Sequence, residues 1–258
     1  CMIRRWLASC LALMLFWPSA AAAETLEGLY NRALKASQSG DFVQALPLWD
    51  LVLDQAPNDA AALSNRGNVR LGLGDLQGAI ADQTRSIELA PEEADPHLNR
   101  GTAEEALKDW SAAAADYLWI LERNPDDASA LYNLGNVRGS TGNWSQALEL
   151  YSRAADAQPG FAMARSSAAL AAWQEEDLSG AEVELRKLIR RYPLFADARA
   201  ALSGLLWQRG ASGEAESHWA AAAGLDPRYR QRDWLLEVRR WPPQPTRQLM
   251  AFLALEDG

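Results

Sequence analysis

The chain has 258 residues, 48% of them hydrophobic and 23% charged, with a formal net charge of −9. That balance suits a folded globular or elongated body and argues against nucleic acid as a partner. Both cysteines, Cys1 and Cys10, lie in the first ten residues, which leaves the rest without a disulfide, a thiolate metal site or a cysteine nucleophile.

Residues 1–23 read as a cleavable signal peptide. Arg4 and Arg5 precede an apolar run from Leu7 to Trp17, Pro18 breaks it, and Ala20 to Ala23 supply small residues ahead of Glu24. The run is short for a bilayer span, although retention as an anchor stays open. Either outcome implies export. Beyond it the charge is uneven: residues 24–185 carry 11 basic and 26 acidic groups, whereas 186–258 carry 12 basic and 8 acidic. The body is therefore acidic and the end mildly basic, as a solvated surface or as an array whose ends attract different partners.

From Leu26 onward the sequence repeats. Pro57, Pro91, Pro125, Pro159, Pro193 and Pro227 stand 34 residues apart, and so do Ala45, Ala79, Ala113, Ala147, Ala181 and Ala215. A third column is always small: Ala33, Gly67, Gly101, Gly135, Ala169 and Ser203. A fourth is mostly bulky: Trp49, Gln83, Tyr117, Tyr151, Leu185 and Trp219. Each unit reads as helix, turn, helix. Gly40, Gly74, Gly142 and Gly210 suit a left-handed cap after the first helix, and Asp41, Asp75, Asp109, Asn143 and Asp177 suit an N-cap for the second. The small columns let two helices of a hairpin approach, and the bulky column is expected to fill space against the next repeat. Arg66 and Arg100 face Asp82 and Asp116 across their hairpins, which predicts intra-repeat ion pairs. Leu134 and Leu150 take those places in the fourth repeat, and in the first Leu48 stands where the acid would be. Pro47 is expected to kink or shorten its helix.

These columns resemble the tetratricopeptide repeat family, with repeats at 26–59, 60–93, 94–127, 128–161, 162–195 and 196–229. The resemblance implies an all-α, right-handed superhelical solenoid of six helix hairpins in region 24–229. Residues 230–258 are expected to form a C-terminal capping extension. Within it we expect a helix from Arg230 to Arg240 carrying Trp234, Leu235 and Val238. A stiff extended turn at Trp241 to Pro245 follows, and then a short apolar helix capped by Thr246 and bearing Leu249, Phe252 and Leu253.

In this family the first helices line a concave groove, and repeat positions two, five, six, nine, twelve and thirteen touch peptides. Carried over, these are Asn31, Asn65, Asn68, Asn99, Asn133 and Asn136, with the aromatics Tyr30, Tyr132, Trp173 and Trp207. Arg70 and Arg138 recur beside the asparagines at matching places. An amide offers both donor and acceptor, so an asparagine ladder can grip a bound backbone. The same asparagines can instead hold helix ends, and Trp173 and Trp207 can instead pack in the core. The basic residues that clamp a carboxylate in cochaperones of this family are absent from the matching positions.

A catalytic reading has little to stand on. His97 and His218 are the only histidines, and no phosphate-binding loop or nucleophile motif occurs. The acidic pairs fall where helices start, which suits capping better than a metal or acid–base pair. The expectation is a non-enzymatic scaffold with no cofactor and no metal that binds a protein or peptide. Its second half, through Tyr132 to Gly142, Arg191 to Arg199 and Arg239 to Pro243, also resembles the tetratricopeptide proteins of thylakoid lumens and their cyanobacterial relatives. That likeness implies a lumenal or periplasmic place and peripheral association with photosynthetic membrane complexes. The rival is an assembly subunit whose own C-terminal tail fills the groove, leaving the convex face or the ends for partners. Phe252 and Leu253 discriminate: they lie in the groove or clear of it.

Overall fold

A computed structural model of the chain describes residues 25–256, so the segment read as a signal peptide lies outside the described residues. Twelve helices form six antiparallel hairpins: α1 (Leu26–Gln38) with α2 (Phe42–Gln55), α3 (Ala60–Gly72) with α4 (Leu76–Leu89), α5 (Ala94–Ala106) with α6 (Trp110–Arg123), α7 (Ala128–Ser140) with α8 (Trp144–Ala157), α9 (Ala162–Gln174) with α10 (Leu178–Arg191), and α11 (Ala196–Gln208) with α12 (Ser212–Leu225). A 3-10 turn (Pro227–Arg230), the short α13 (Arg232–Glu237) and α14 (Pro243–Glu256) complete it, with no strand among the described residues. Each second helix packs on its own first helix and on the next one. First helices also touch each other, α1 with α3, α3 with α5, α5 with α7 and α9 with α11, so they form the inner layer of the array.

The spacing of small and large residues explains the hairpin. A Cβ on Gly101 would stand 2.7 Å from the Tyr117 ring, and one on Gly135 would stand 2.6 Å from the Tyr151 ring. The bulky column therefore lies on the small column of its own hairpin, and as expected it also shares an apolar cluster with the next repeat, Tyr117 with Leu134 and Val137 and Tyr151 with Ala171. Its polar ends bond within its own hairpin: Trp49 donates to Ser37 Oγ (2.9 Å), Tyr117 to Glu105 (3.1 Å) and Tyr151 to Asn136 Oδ1 (3.0 Å). Asp41, Asp75, Asp109, Asn143 and Asp177 each cap a second helix through a backbone N–H three residues on. The turn before each cap needs a left-handed residue. Lys108 (φ 62°) and Glu176 (φ 70°) take that conformation in the third and fifth repeats, where the other four use glycine. Pro47 does not shorten α2, which matches the other second helices at 14 residues. It is exposed and sits one turn after exposed Val43, so the carbonyl it strands faces water.

The joints between the early repeats are polar. Arg66 makes a two-pronged bond to Asp82 (2.9 and 2.8 Å) and reaches back to Asp50 of the first repeat (2.9 Å). Arg100 does the same with Asp116 (2.8 and 2.7 Å) and reaches back to Thr84. Asp116 also takes His97 Nδ1 at 2.7 Å, and the His97 ring stacks on Trp119 at 3.8 Å. Both expected Arg–Asp pairs are present, and each arginine also ties its repeat to the one before.

The C-terminal extension departs from expectation in three ways. The expected helix over 230–240 is a 3-10 turn plus six-residue α13, with Leu235 fully buried but Val238 62% exposed. The Pro-rich segment is no extended turn, because α14 already begins at Pro243. Proline fits the first helical turn, where a missing N–H breaks no bond. Thr246 is consequently inside α14 and donates back to Pro242 O (2.9 Å), while Gln174 of α9 accepts from Gln244 N (2.8 Å).

Candidate functional site

The inner layer divides into an open half and a covered half. Toward the N-terminus, α3, α4 and α5 border a cavity of about 410 Å³ lined by Ala61, Ser64, Asn65, Asn68, Glu93 and Asp95 among others. Asn65 is half-buried, lines the cavity and donates to Ala61 O (2.9 Å). Asn68 is exposed and accepts from Gln83 Nε2 (3.1 Å). Burial raises the Tyr30 hydroxyl, Asp59 adds to that, and a hydrogen bond with Asn65 of the next repeat opposes it. Glu93 and Asp95 give the cavity negative charge without a lining cation.

The other sequence-predicted residues are not all brought together. Asn31 is exposed at the first repeat; Asn99 and Asn133 are half-buried on their inner helices. Asn136 is tied to Tyr151, and Tyr132 packs between Tyr151 (5.5 Å) and Phe161 (5.0 Å). Three assignments need correction. Arg70 turns toward its own hairpin, pairing with Asp82 (3.0 Å) and bonding Gly78 O (3.3 Å), because the buried Asp82 needs the second cation. Trp173 is fully buried and donates to Gln208 Oε1 (2.8 Å), which makes it a joint between the fifth and sixth repeats. Trp207 does line the inner face, but it lies under Phe252 of α14 at 5.7 Å. Arg138 is half-buried on α7.

Toward the C-terminus the groove is filled by the chain's own tail. α14 packs on α11 and α9, with Leu249 fully buried and Phe252 and Leu253 at 3% and 5% exposure. The approach is close: a Cβ on Gly204 would meet the Leu249 backbone at 3.1 Å. Asp197, fully buried at the start of α11, holds the junction. It accepts from Ser166 (2.6 Å), Tyr229 (2.8 Å), Trp241 Nε1 (3.0 Å) and Arg239 (2.6 Å). Burial pushes the Asp197 carboxyl up, but the Arg239 guanidinium with the Ser166 and Trp241 hydrogen bonds outweighs it and holds the group below the usual carboxylate range.

Between α13 and α14 the chain straps across to the middle repeats. Glu237 pairs with Lys108 (2.7 Å), and Arg240 reaches Glu105 (3.2 Å), Ser140 Oγ (2.9 Å) and the face of Trp110 (5.1 Å). Arg240 does this with φ at 58°, a conformation that costs on the order of 1 kcal/mol for a bulky residue. Sequence columns missed Asp197, Arg239 and Arg240, because their partners fall outside the 34-residue frame. The signal was present in α11, whose Ala-Asp-Ala-Arg-Ala-Ala-Leu-Ser-Gly-Leu-Leu run is apolar nearly all round and so requires cover on both sides. Among the described residues no cluster of three metal-ligating side chains occurs, and no helix is long and apolar enough to cross a membrane.

No curated protein matches the chain in sequence. Among solved structures it is similar to a tetratricopeptide repeat protein from Parabacteroides merdae (17% identity, 89% of this chain and 98% of that one, TM-score 0.63). It is also similar to YrrB, described as a tetratricopeptide protein with an unusual peptide-binding site (18% identity, 74% and 96%, TM-score 0.55). A third likeness, to the Cut9–Hcn1 hetero-tetramer of the APC/C, spans 90% of this chain and 44% of that one at 14% identity and TM-score 0.72. These likenesses establish the solenoid fold. The tetratricopeptide repeat model itself matches residues 30–94, 98–160 and 134–186, more than half of the sequence, and the chain belongs to the tetratricopeptide repeat family.

Proposed function

We propose that this chain is a scaffold that binds an extended protein segment along the open, N-terminal half of its inner groove. The observation that carries this is the cavity of about 410 Å³ beside Asn65 and Asn68, on the half the tail leaves uncovered. Asn65, Asn99 and Asn133 stand at the same place of successive repeats, each able to pair with a peptide group of a bound strand. Glu93 and Asp95 favour a segment carrying lysine or arginine, within a body of net charge −15 over residues 24–185.

The tail bears on the two readings drawn from the sequence. Phe252 and Leu253 lie in the groove, which favours an assembly subunit for the C-terminal half. Partners therefore have the first four repeats, the outer face and the ends. The N-terminal segment supports export, to a thylakoid lumen or a periplasm. The likeness of the second half to lumenal tetratricopeptide proteins supports work on photosynthetic membrane complexes, peripheral to the bilayer.

The test is recovery of partners by crosslinking and mass spectrometry from the native compartment, with Asn65, Asn99 and Asn133 all replaced by alanine. Loss of a recovered partner while the helical content stays unchanged supports the groove. Unchanged recovery sinks it.

A further inference from the structure

Repeat five is built differently on its outer side. At the place of Ala168 the other repeats carry Arg32, Arg66, Arg100, Leu134 and Leu202. At the place of Ala172 four of the others carry Arg70, Glu104, Arg138 and Leu206, so only repeat five pairs a small residue at the first place with one at the second among its neighbours from repeat two onward. The bulk missing there is an open cleft of about 560 Å³ between α8, α9 and α10, larger than the cavity of the inner groove. Its floor is apolar, through Ala155, Ala168 and Ala172, and its wall includes Leu148 and half-exposed Val183. Asp156, Asp177 and Glu184 stand around it against two cations: Arg165, which reaches Asp156 (3.4 Å) and Glu184 (3.9 Å), and Lys187, which pairs with Glu184 (2.6 Å), so one carboxylate charge is left over. An apolar cleft with a surplus carboxylate suits a bulky apolar side chain flanked by cations.

The same repeat carries such a knob. After the repeat's proline the other units place Asn58, Glu92, Asp126, Gly160 or Arg228 on the surface, whereas here Leu194 stands 79% exposed. Arg190 and Arg191 are exposed just before it, at the end of α10. A second, smaller cavity runs from Arg165 and Glu184 at the cleft to Arg191 and Tyr192 beside the knob. Cleft and knob thus adjoin on one molecule.

We propose that the cleft between repeats four and five receives Leu194 of a second copy of this chain, with Arg190 and Arg191 of each copy facing the carboxylates of the other. Because cleft and knob adjoin, two copies related by a two-fold axis exchange knobs and satisfy both contacts at once. The groove asparagines take no part, so the pairing stands or falls separately from peptide binding.

The experiment is sedimentation velocity of the full chain from about 1 to about 200 µM, a range that brackets a small two-site contact. The mass is expected to double with concentration and the transition to move to higher concentration in salt. Leu194→Asp and Val183→Arg change exposed side chains only, and each is expected to weaken pairing by about tenfold or more. Circular dichroism melts that match the parent establish that both variants fold. Mixing the two variants pairs an intact cleft with an intact knob and is expected to restore part of the association. A chain that stays monomeric throughout overturns the proposal. So does a dimer insensitive to both substitutions, or a mixture with no restored association.

Discussion

The two halves of the solenoid solve one packing problem in opposite ways. In repeats one to three the joints are polar: Arg66 reaches back to Asp50 and Arg100 to the Thr84 hydroxyl, and the apolar clusters are small and separate. In repeats five and six one continuous apolar cluster runs from Ala169 through the tail to Leu253. Repeat four stands between, with Leu134 and Leu150 where repeats two and three use Arg and Asp. With polar joints the inner face of the early repeats stands uncovered. An apolar inner face must be covered, and α14 covers it. A stack of similar units thus acquires one open end and one closed one.

Removing residues 230–258 should test that contrast most severely. Leu235, Trp241, Leu249, Phe252 and Leu253 would all leave the core, at about 1.5–3 kcal/mol for each fully buried side chain. Repeats five and six are expected to lose hydrogen-exchange protection while repeats one to three keep theirs; uniform loss would mean that the halves do not fold as separable units. Asp197→Ala comes next. It strands the buried Arg239 charge and is expected to cost about 3–5 kcal/mol in chemical denaturation, more than any single change at the inner face of repeats one to three.

The polar joints should show the reverse behaviour. Arg100→Leu alone leaves Asp116 buried beside His97 and is expected to cost about 2–3 kcal/mol. The double change Arg100→Leu with Asp116→Leu copies repeat four and is expected to recover most of that loss. A double variant as unstable as the single one would show that the ion pair itself holds the joint.

The smallest effect is a pH slope confined to the early half. Burial, with the Asp116 charge beside it, pushes the Glu104 carboxyl up to about 7 against the pull of Arg100. A folded-state value raised above the unfolded one favours the protonated form in the folded chain. That stability is full below the ordinary glutamate range and is lost as pH rises through about 7. The melting temperature is therefore expected to fall slightly between about pH 5 and about pH 8, and Glu104→Gln should flatten this dependence.

The repeating half of this structure was legible because each hairpin imposes the same demand at the same place. Gly101 must be small for Tyr117 to lie on it, and Asp82 must be paired if Arg66 faces it, so one column predicts another. The closure was not legible in that way. Asp197 gathers Ser166, Tyr229, Arg239 and Trp241, whose separations follow from how the tail turns and not from the 34-residue interval. The prolines of the tail misled for a related reason. Pro243 and Pro245 break a helix in its interior but suit its first turn, and only the docking of Gln244 onto Gln174 fixes which applies. At the groove, position alone nominated Arg70 and Trp173, while the need to satisfy Asp82 and to seal the fifth repeat against the sixth directed both inward.

The docked tail also sets an order of events in time. A ribosome delivers the chain from its amino end, and the arginine bridges of the early repeats find their partners as successive hairpins emerge, while the Lys108 and Glu105 contacts wait for the tail. Repeats five and six cannot finish until Trp241, Leu249, Phe252 and Leu253 have followed them out. Until then α11 presents an uncovered apolar flank. A message cut short, or a protease nick near Arg239, would yield a chain with a sound beginning and an adhesive end. Closure by α14 therefore comes after the hairpins it covers, and only a chain that carries this tail achieves it.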